Sequence, residues 1–235
     1  MYPPPPPAPP APLRAVRGLA TATVVMLAFD SLVSVIVSII DAQRAALIQR
    51  FIVDGDVDIA EAGASDMLYA ASGVVELVVY LATAVTFLVW LFRARANAEL
   101  LSPWPHRRAR PWLIFGWFVP VVSLWFPKQI IDDIWTSSKP GAFAWTRDLA
   151  TARRSGLVWA WWLAWLAGTW ITQVINRQLA RADDLSSMRK AALFDIAANA
   201  MSIIAAALAI GVVLTITRFQ EDHRRAAAWR PPPPV

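Results

Sequence analysis

The chain has 235 residues, 57% of them hydrophobic and 17% charged, with a mean hydropathy of +0.45. A soluble domain is nearer a quarter charged and lacks repeated apolar runs of about 20 residues, so lipid is the solvent for most of this sequence. The net charge of +5 arises from basic residues crowding the ends of the apolar runs, which explains it without nucleic acid; the lack of cysteine excludes disulfides and thiolate chemistry.

Residues 1–13 begin MYPPPPPAPPAP. Proline fixes φ and removes a backbone donor, so this segment is expected to be a disordered tail, extended as polyproline II. RPPPPV at the other terminus echoes it. Such tails are potential docking peptides for protein partners with aromatic grooves.

A first span is expected at 18–40, with Asp30 near its middle. Its apolar run is too long for the core of a signal peptide, so it reads as retained. Residues 41–66 are acidic and read as a solvated loop. The string DGDVDIAE resembles the start of a calcium loop, but Ile59 stands where glycine is needed and Ser65 where the bidentate glutamate is needed. A second span is expected at 67–92 with Glu76 inside it, followed by a basic loop at 93–110.

The middle of the chain, 111–138, contains WLIFGWFVPVVSLWFPKQIIDDIW. From Pro111 to Pro127 a helix reaches only about 25 Å, against about 30 Å of hydrocarbon. Pro120 is expected to kink it. After Pro127, Ile130, Ile131, Ile134 and Trp135 fall on one side and Lys128, Asp132, Asp133 and Thr136 on the other. That pattern predicts a re-entrant dip followed by a helix lying flat in the interface.

A Trp-rich third span is expected at 155–175 and a fourth at 191–217, leaving a charged, Pro-rich tail at 221–235. The fold class is thus all-α, with residues 14–220 forming a membrane domain of four spans plus the re-entrant segment. With that topology, sixteen lysines and arginines fall on the side of the termini and six on the other. Positive charge stays inside, so both termini are expected in the cytoplasm, and the location is the cell membrane. The heavy use of Ala, Arg, Pro and Trp is compatible with a GC-rich bacterial genome.

Polar residues recur inside the spans at helical spacing. The candidate intramembrane site comprises Asp30, Glu76, Gln173, Asp195 and Asn199. Carboxylates facing lipid cost roughly 2.5–3.5 kcal/mol each on insertion scales, so these faces are expected to point inward. They either hydrogen-bond between helices as packing devices or serve a proton or cation pathway. No Gly-rich phosphate loop, metal-ligand pair or nucleophile motif appears, so no catalytic, cofactor or metal residues are assigned. His106 and His223 lie in charged segments and read as solvated.

The run WLFRARANAELL at 90–101, followed by GWFVPVVSLWFPKQIIDDIW at 116–135, resembles a bacterial membrane-protein family, domain of unknown function 4328. The matching positions are Trp90, Arg93, Asn97, Gly116, Trp117, Pro120, Pro127 and Trp135, while Ser123 replaces the asparagine expected there. The resemblance implies four spans, a Pro-rich cytoplasmic tail and a Trp- and Pro-marked middle segment, and no known activity. Arg93 and Asn97 are expected to cap the second span or to bond the backbone broken at Gly116 and Pro120.

Overall fold

The structure, a computed structural model, describes residues 12–55, 58–144, 148–171, 173 and 184–228. The described residues are built from three long helices and three short ones. The long helices are α1 (Arg17–Asp54), α2 (Ile59–Leu101) and α6 (Leu185–Ala228), of 38, 43 and 44 residues. Between α2 and α6 lie α3 (Trp112–Phe118), α4 (Phe126–Ser138) and α5 (Gly156–Leu166). Helices α1, α2 and α6 are each long and apolar enough to cross a membrane.

At about 1.5 Å per residue the long helices reach about 57–66 Å, roughly twice the hydrocarbon core. They therefore run well past the predicted spans. The segment 41–66, expected as a loop, is helical at 41–54 and 59–66; residues 56 and 57 lie outside the described residues. AQRAALIQR continues α1 because Ala, Leu, Gln and Arg favour helix whatever solvent they face. Gly55 stops it at φ +67°, its N–H bonded to the Phe51 carbonyl at 3.1 Å. Asp58 starts α2 by accepting from the Ala60 N–H at 2.9 Å. The basic loop likewise begins only after Leu101.

Helix α1 packs along both α2 and α6. Thr23 donates to the Thr86 carbonyl at 3.1 Å and Thr83 to the Met26 carbonyl at 3.3 Å, which sets α1 and α2 antiparallel. Bonds from Trp90 to Thr217 and from Asn97 to Gln220 set α2 and α6 parallel. Ala20, Thr23, Leu27, Ser34, Val37, Asp41 and Ile48 form the buried stripe of α1. With half-buried Asp30 and Arg44 they step by three and four without a break, a heptad seam.

The predicted third span departs from a regular helix. Five residues, Ala167–Ile171, form a π turn directly after α5. Gly168 lies there against α6, where an added Cβ would meet Met201 at 3.5 Å. Residues 172, 174 and 175 of the predicted span lie outside the described residues; among the described residues, the helices long and apolar enough to cross are α1, α2 and α6.

Helix α4 does not lie on a surface. Lys128, Ile130, Ile131, Asp132, Asp133, Ile134, Thr136, Ser137 and Ser138 are all buried. Its apolar side joins a core with Trp90, Leu91, Leu113, Val158, Trp162 and Ile216. Its polar side is covered by protein instead of water. Arg107 donates to Asp133 from its backbone N–H at 2.9 Å and from Nε at 2.7 Å. Arg108 donates to Gln129 at 2.8 Å and lies over the Phe126 ring. Lys128 pairs with Asp132 at 2.6 Å and sits over the Trp159 ring, with Arg154 at 3.7 Å from the same carboxylate. An amphipathic pattern states that one face needs polar partners; here arginines of the preceding loop supply them.

Candidate functional site

Two polar assemblies lie at opposite ends of the long helices. The first closes the end where α2 terminates. Asn97, fully buried, holds the backbone of Arg14 twice: Nδ2 donates to its carbonyl at 2.8 Å and Oδ1 accepts from its N–H at 3.0 Å. Asn97 Nδ2 also donates to Gln220 Oε1 at 3.0 Å. Gln220 Nε2 then donates to the Ala94 carbonyl at 2.8 Å and to Ser138 Oγ at 2.9 Å. Glu221 accepts from the Val16 N–H at 3.3 Å, and Arg93 donates to the Ala15 carbonyl at 3.2 Å. Four parts of the chain converge, and both amides find partners in a buried site, where an unmade bond is expensive.

Asn97 thus does not bond Gly116 or Pro120, and it does not cap α2. It clasps the segment that precedes α1, because that segment has no helical partners of its own for the N–H and C=O of Arg14. Gly116 is buried where α3 packs on α4, and an added Cβ would stand in ordinary contact with Phe126 at 3.5 Å. Pro120 opens the 3-10 turn Val121–Leu124, and Pro127 sits in the first turn of α4, where a missing N–H costs nothing. Buried Trp90 donates to Thr217 at 3.2 Å. Trp117 meets Trp161 and Trp165 edge-on, and Trp135 meets Phe219 likewise.

Both histidines are engaged. His106 lies against Ser137 at 3.4 Å, and His223 Nε2 is 3.1 Å from the Ser138 carbonyl. Burial, and next the Arg95 guanidinium, push the His106 imidazole down to about 4, against the opposing pull of Asp133.

The second assembly is a cavity of about 310 Å³ between α1, α2 and α6. Its wall includes Glu76, Asp195 and Asn199, three of the five predicted site residues. Asp30 is half-buried on the α1 seam, three turns from Asp41, and does not line it. Gln173 is exposed and outside it. Three further polar residues line the cavity, Asp41, Tyr69 and Ser72. The Tyr69 hydroxyl is 3.4 Å from Asp195 Oδ2. Asp41 has no exposed surface, and neither of its oxygens accepts a hydrogen bond. Its position follows from spacing, since 30, 34, 37 and 41 share one helix face, but hydropathy falls there and Asp41 reads as the first loop residue.

Long apolar helices joined along a polar seam define a helical membrane protein. The chain belongs to the family of the domain of unknown function DUF4328, whose model matches residues 53–218. That match takes in all eight motif positions and the α2 and α6 walls of the cavity, and leaves Asp30 and Asp41 outside it. No curated protein and no solved structure matches the chain.

Proposed function

We propose that the protein is a non-enzymatic membrane scaffold or sensor whose Pro-rich tails recruit cytoplasmic partners. One observation carries this reading. The Asn97 clasp ties Arg14, next to the N-terminal proline run, to Gln220 on the helix that leads to the C-terminal one. The tails thereby start from one end of the bundle, and a partner held by both gains from their proximity. The excess of lysine and arginine flanking that end supports a cytoplasmic orientation.

The test is a comparison of the full chain with a chain lacking residues 1–12. A partner that co-purifies with the first is lost with the second, and a synthetic peptide of residues 1–12 competes for it. A partner set unchanged by the deletion overturns the reading. An active periplasmic reporter fused after Val235 overturns the orientation.

A proton or cation pathway is the second reading, favoured by the acids that meet in the cavity. Such a path has to cross the packed layer of Leu27, Trp90, Leu91, Val213 and Ile216 before it reaches the clasp. Flux through proteoliposomes that falls with Glu76→Gln would favour this reading over the scaffold.

A further inference from the structure

The loop between α2 and α3 brings more positive charge to the clasp end than the described carboxylates beside it absorb. Glu99 is shared by Arg95 and Arg110, Asp133 is taken by Arg107, and Asp132 by Lys128 and Arg154. Asp148 turns back on its own loop and accepts from the Thr151 N–H at 2.7 Å. Arg108 pairs with no carboxylate among the described residues, yet its guanidinium is held in place. Nε donates to Gln129 Oε1 at 2.8 Å, and the guanidinium carbon lies 3.7 Å from the centre of the Phe126 ring. Trp112 meets that ring edge-on at 4.9 Å. Neither terminal nitrogen of Arg108 donates to a described residue, and both reach the surface. A guanidinium fixed through Nε and a ring presents its remaining N–H groups as a fork, the geometry that takes two oxygens of a phosphate.

What lies beside the fork narrows the source of the phosphate. Trp112 opens α3 and its ring partner Phe126 begins α4, so the chain between them closes on itself. The segment leaves Ile114, Phe115, Phe118, Val121 and Trp125 exposed, Phe118 to 72%. Phe115 follows Trp112 by three residues and so lies on the adjoining side of α3. In a membrane protein such a surface faces hydrocarbon, and α3, about 10 Å long, reaches about a third of the way across that layer. A free anion gains nothing from these side chains; an acyl chain does.

We propose that Arg108 binds the phosphate of an anionic phospholipid, whose acyl chains lie along Phe115 and Phe118 as α3 enters the leaflet. Trp112 and Trp125, near the two ends of the segment, are of the residue type that settles at headgroup depth. Exposed Lys139 and Arg153, which pair with no described carboxylate, add attraction at longer range. A zwitterionic headgroup would bring its own ammonium into a region already rich in cations, so the site favours lipids of net negative charge. It needs the membrane and not the tails, and stands apart from the scaffold reading.

The test uses the full chain in a neutral detergent, titrated with a short-chain phosphatidylglycerol. The matching phosphatidylcholine, the matching diacylglycerol, which lacks phosphate, and sodium phosphate, which lacks chains, are the other arms. Phosphatidylglycerol is expected to raise the midpoint of thermal unfolding saturably, phosphatidylcholine to act more weakly, and diacylglycerol and phosphate to have no effect at the same concentrations. Arg108→Gln is expected to weaken phosphatidylglycerol binding by roughly tenfold or more. Arg108→Lys, which keeps the charge but not the fork, should weaken it by about threefold or more, and Arg153→Gln by less than about twofold. The absence of a saturable response overturns the proposal, as does an equal response to diacylglycerol or to phosphatidylcholine. Saturable stabilisation by free phosphate at the same concentrations overturns the lipid as its source. Equal losses in Arg108→Gln and Arg153→Gln would mean diffuse attraction without a site. Should Arg108→Gln fail to fold, the lysine substitution decides, and unchanged affinity there removes Arg108 from the role.

Discussion

Asn97 commits both amide donors and its carbonyl oxygen to protein partners. Asn97→Ala leaves Gln220 Oε1 and the Arg14 backbone unpaired in a buried site. The expected cost is about 1–3 kcal/mol, measured as a lowered midpoint of thermal unfolding in detergent. Asn97→Asp keeps the acceptor for the Arg14 N–H, loses both donations and brings in a charge, so it should be at least as damaging. His106 makes a different prediction. Its folded value near 4 lies below the ordinary 6.5. Above pH 6.5 the imidazole is neutral in both states and costs nothing. Between pH 6.5 and 4 the unfolded chain takes up a proton that the folded chain refuses, so stability falls as pH drops. His106→Gln should flatten that part of the stability profile relative to the wild type, while the slopes due to carboxylates persist in both.

At the level of the element, α4 carries the sharpest lesson. Its alternation of Ile and Asp was legible in the sequence, and so was the position of its first turn at Pro127. What covers its polar face was not legible, because Arg107 and Arg108 read equally well as residues that orient a protein in a membrane. Charge counts cannot distinguish a free arginine from one pointing back at Asp133. Asp133→Ala strands Arg107 and should cost about 3–5 kcal/mol, whereas Arg107→Met with Asp133→Leu should recover much of the loss. Denaturation of the single and double variants under the same conditions checks both. The same reasoning explains why Asp41 was overlooked. Hydropathy ends the first span at residue 40, while the helix and its buried stripe continue to Ile48. Periodicity, followed past the apolar run, marks the residue that hydropathy discards.

For the molecule as a whole, the all-helical membrane class followed from apolar run length alone, and three of the runs are helices that suffice to cross. In the Trp-rich run at 155–175, run length says nothing of local helix geometry. A π turn, Ala167–Ile171, follows α5 and lies against α6 at Met201, an arrangement with no signature in composition. The seam between α1 and α2 can be checked directly because the native chain has no cysteine. Thr23→Cys together with Thr86→Cys should form a disulfide in isolated membranes under mild oxidation. Thr23→Cys with Val78→Cys, about two turns away along α2, should not. Cross-linking of the second pair in place of the first would mean a different register.

The hold that Asn97 has on Arg14 also sets how the protein answers mechanical load. Tension applied through the N-terminal prolines meets the amide bonds at residue 14 before it reaches the first turn of α1. Because Gln220 shares those bonds, part of that tension passes sideways into α6. A pull on one tail is therefore felt at the root of the other. Drawn from its N-terminus in a force spectrometer, the wild type should show an early rupture that Asn97→Ala lacks.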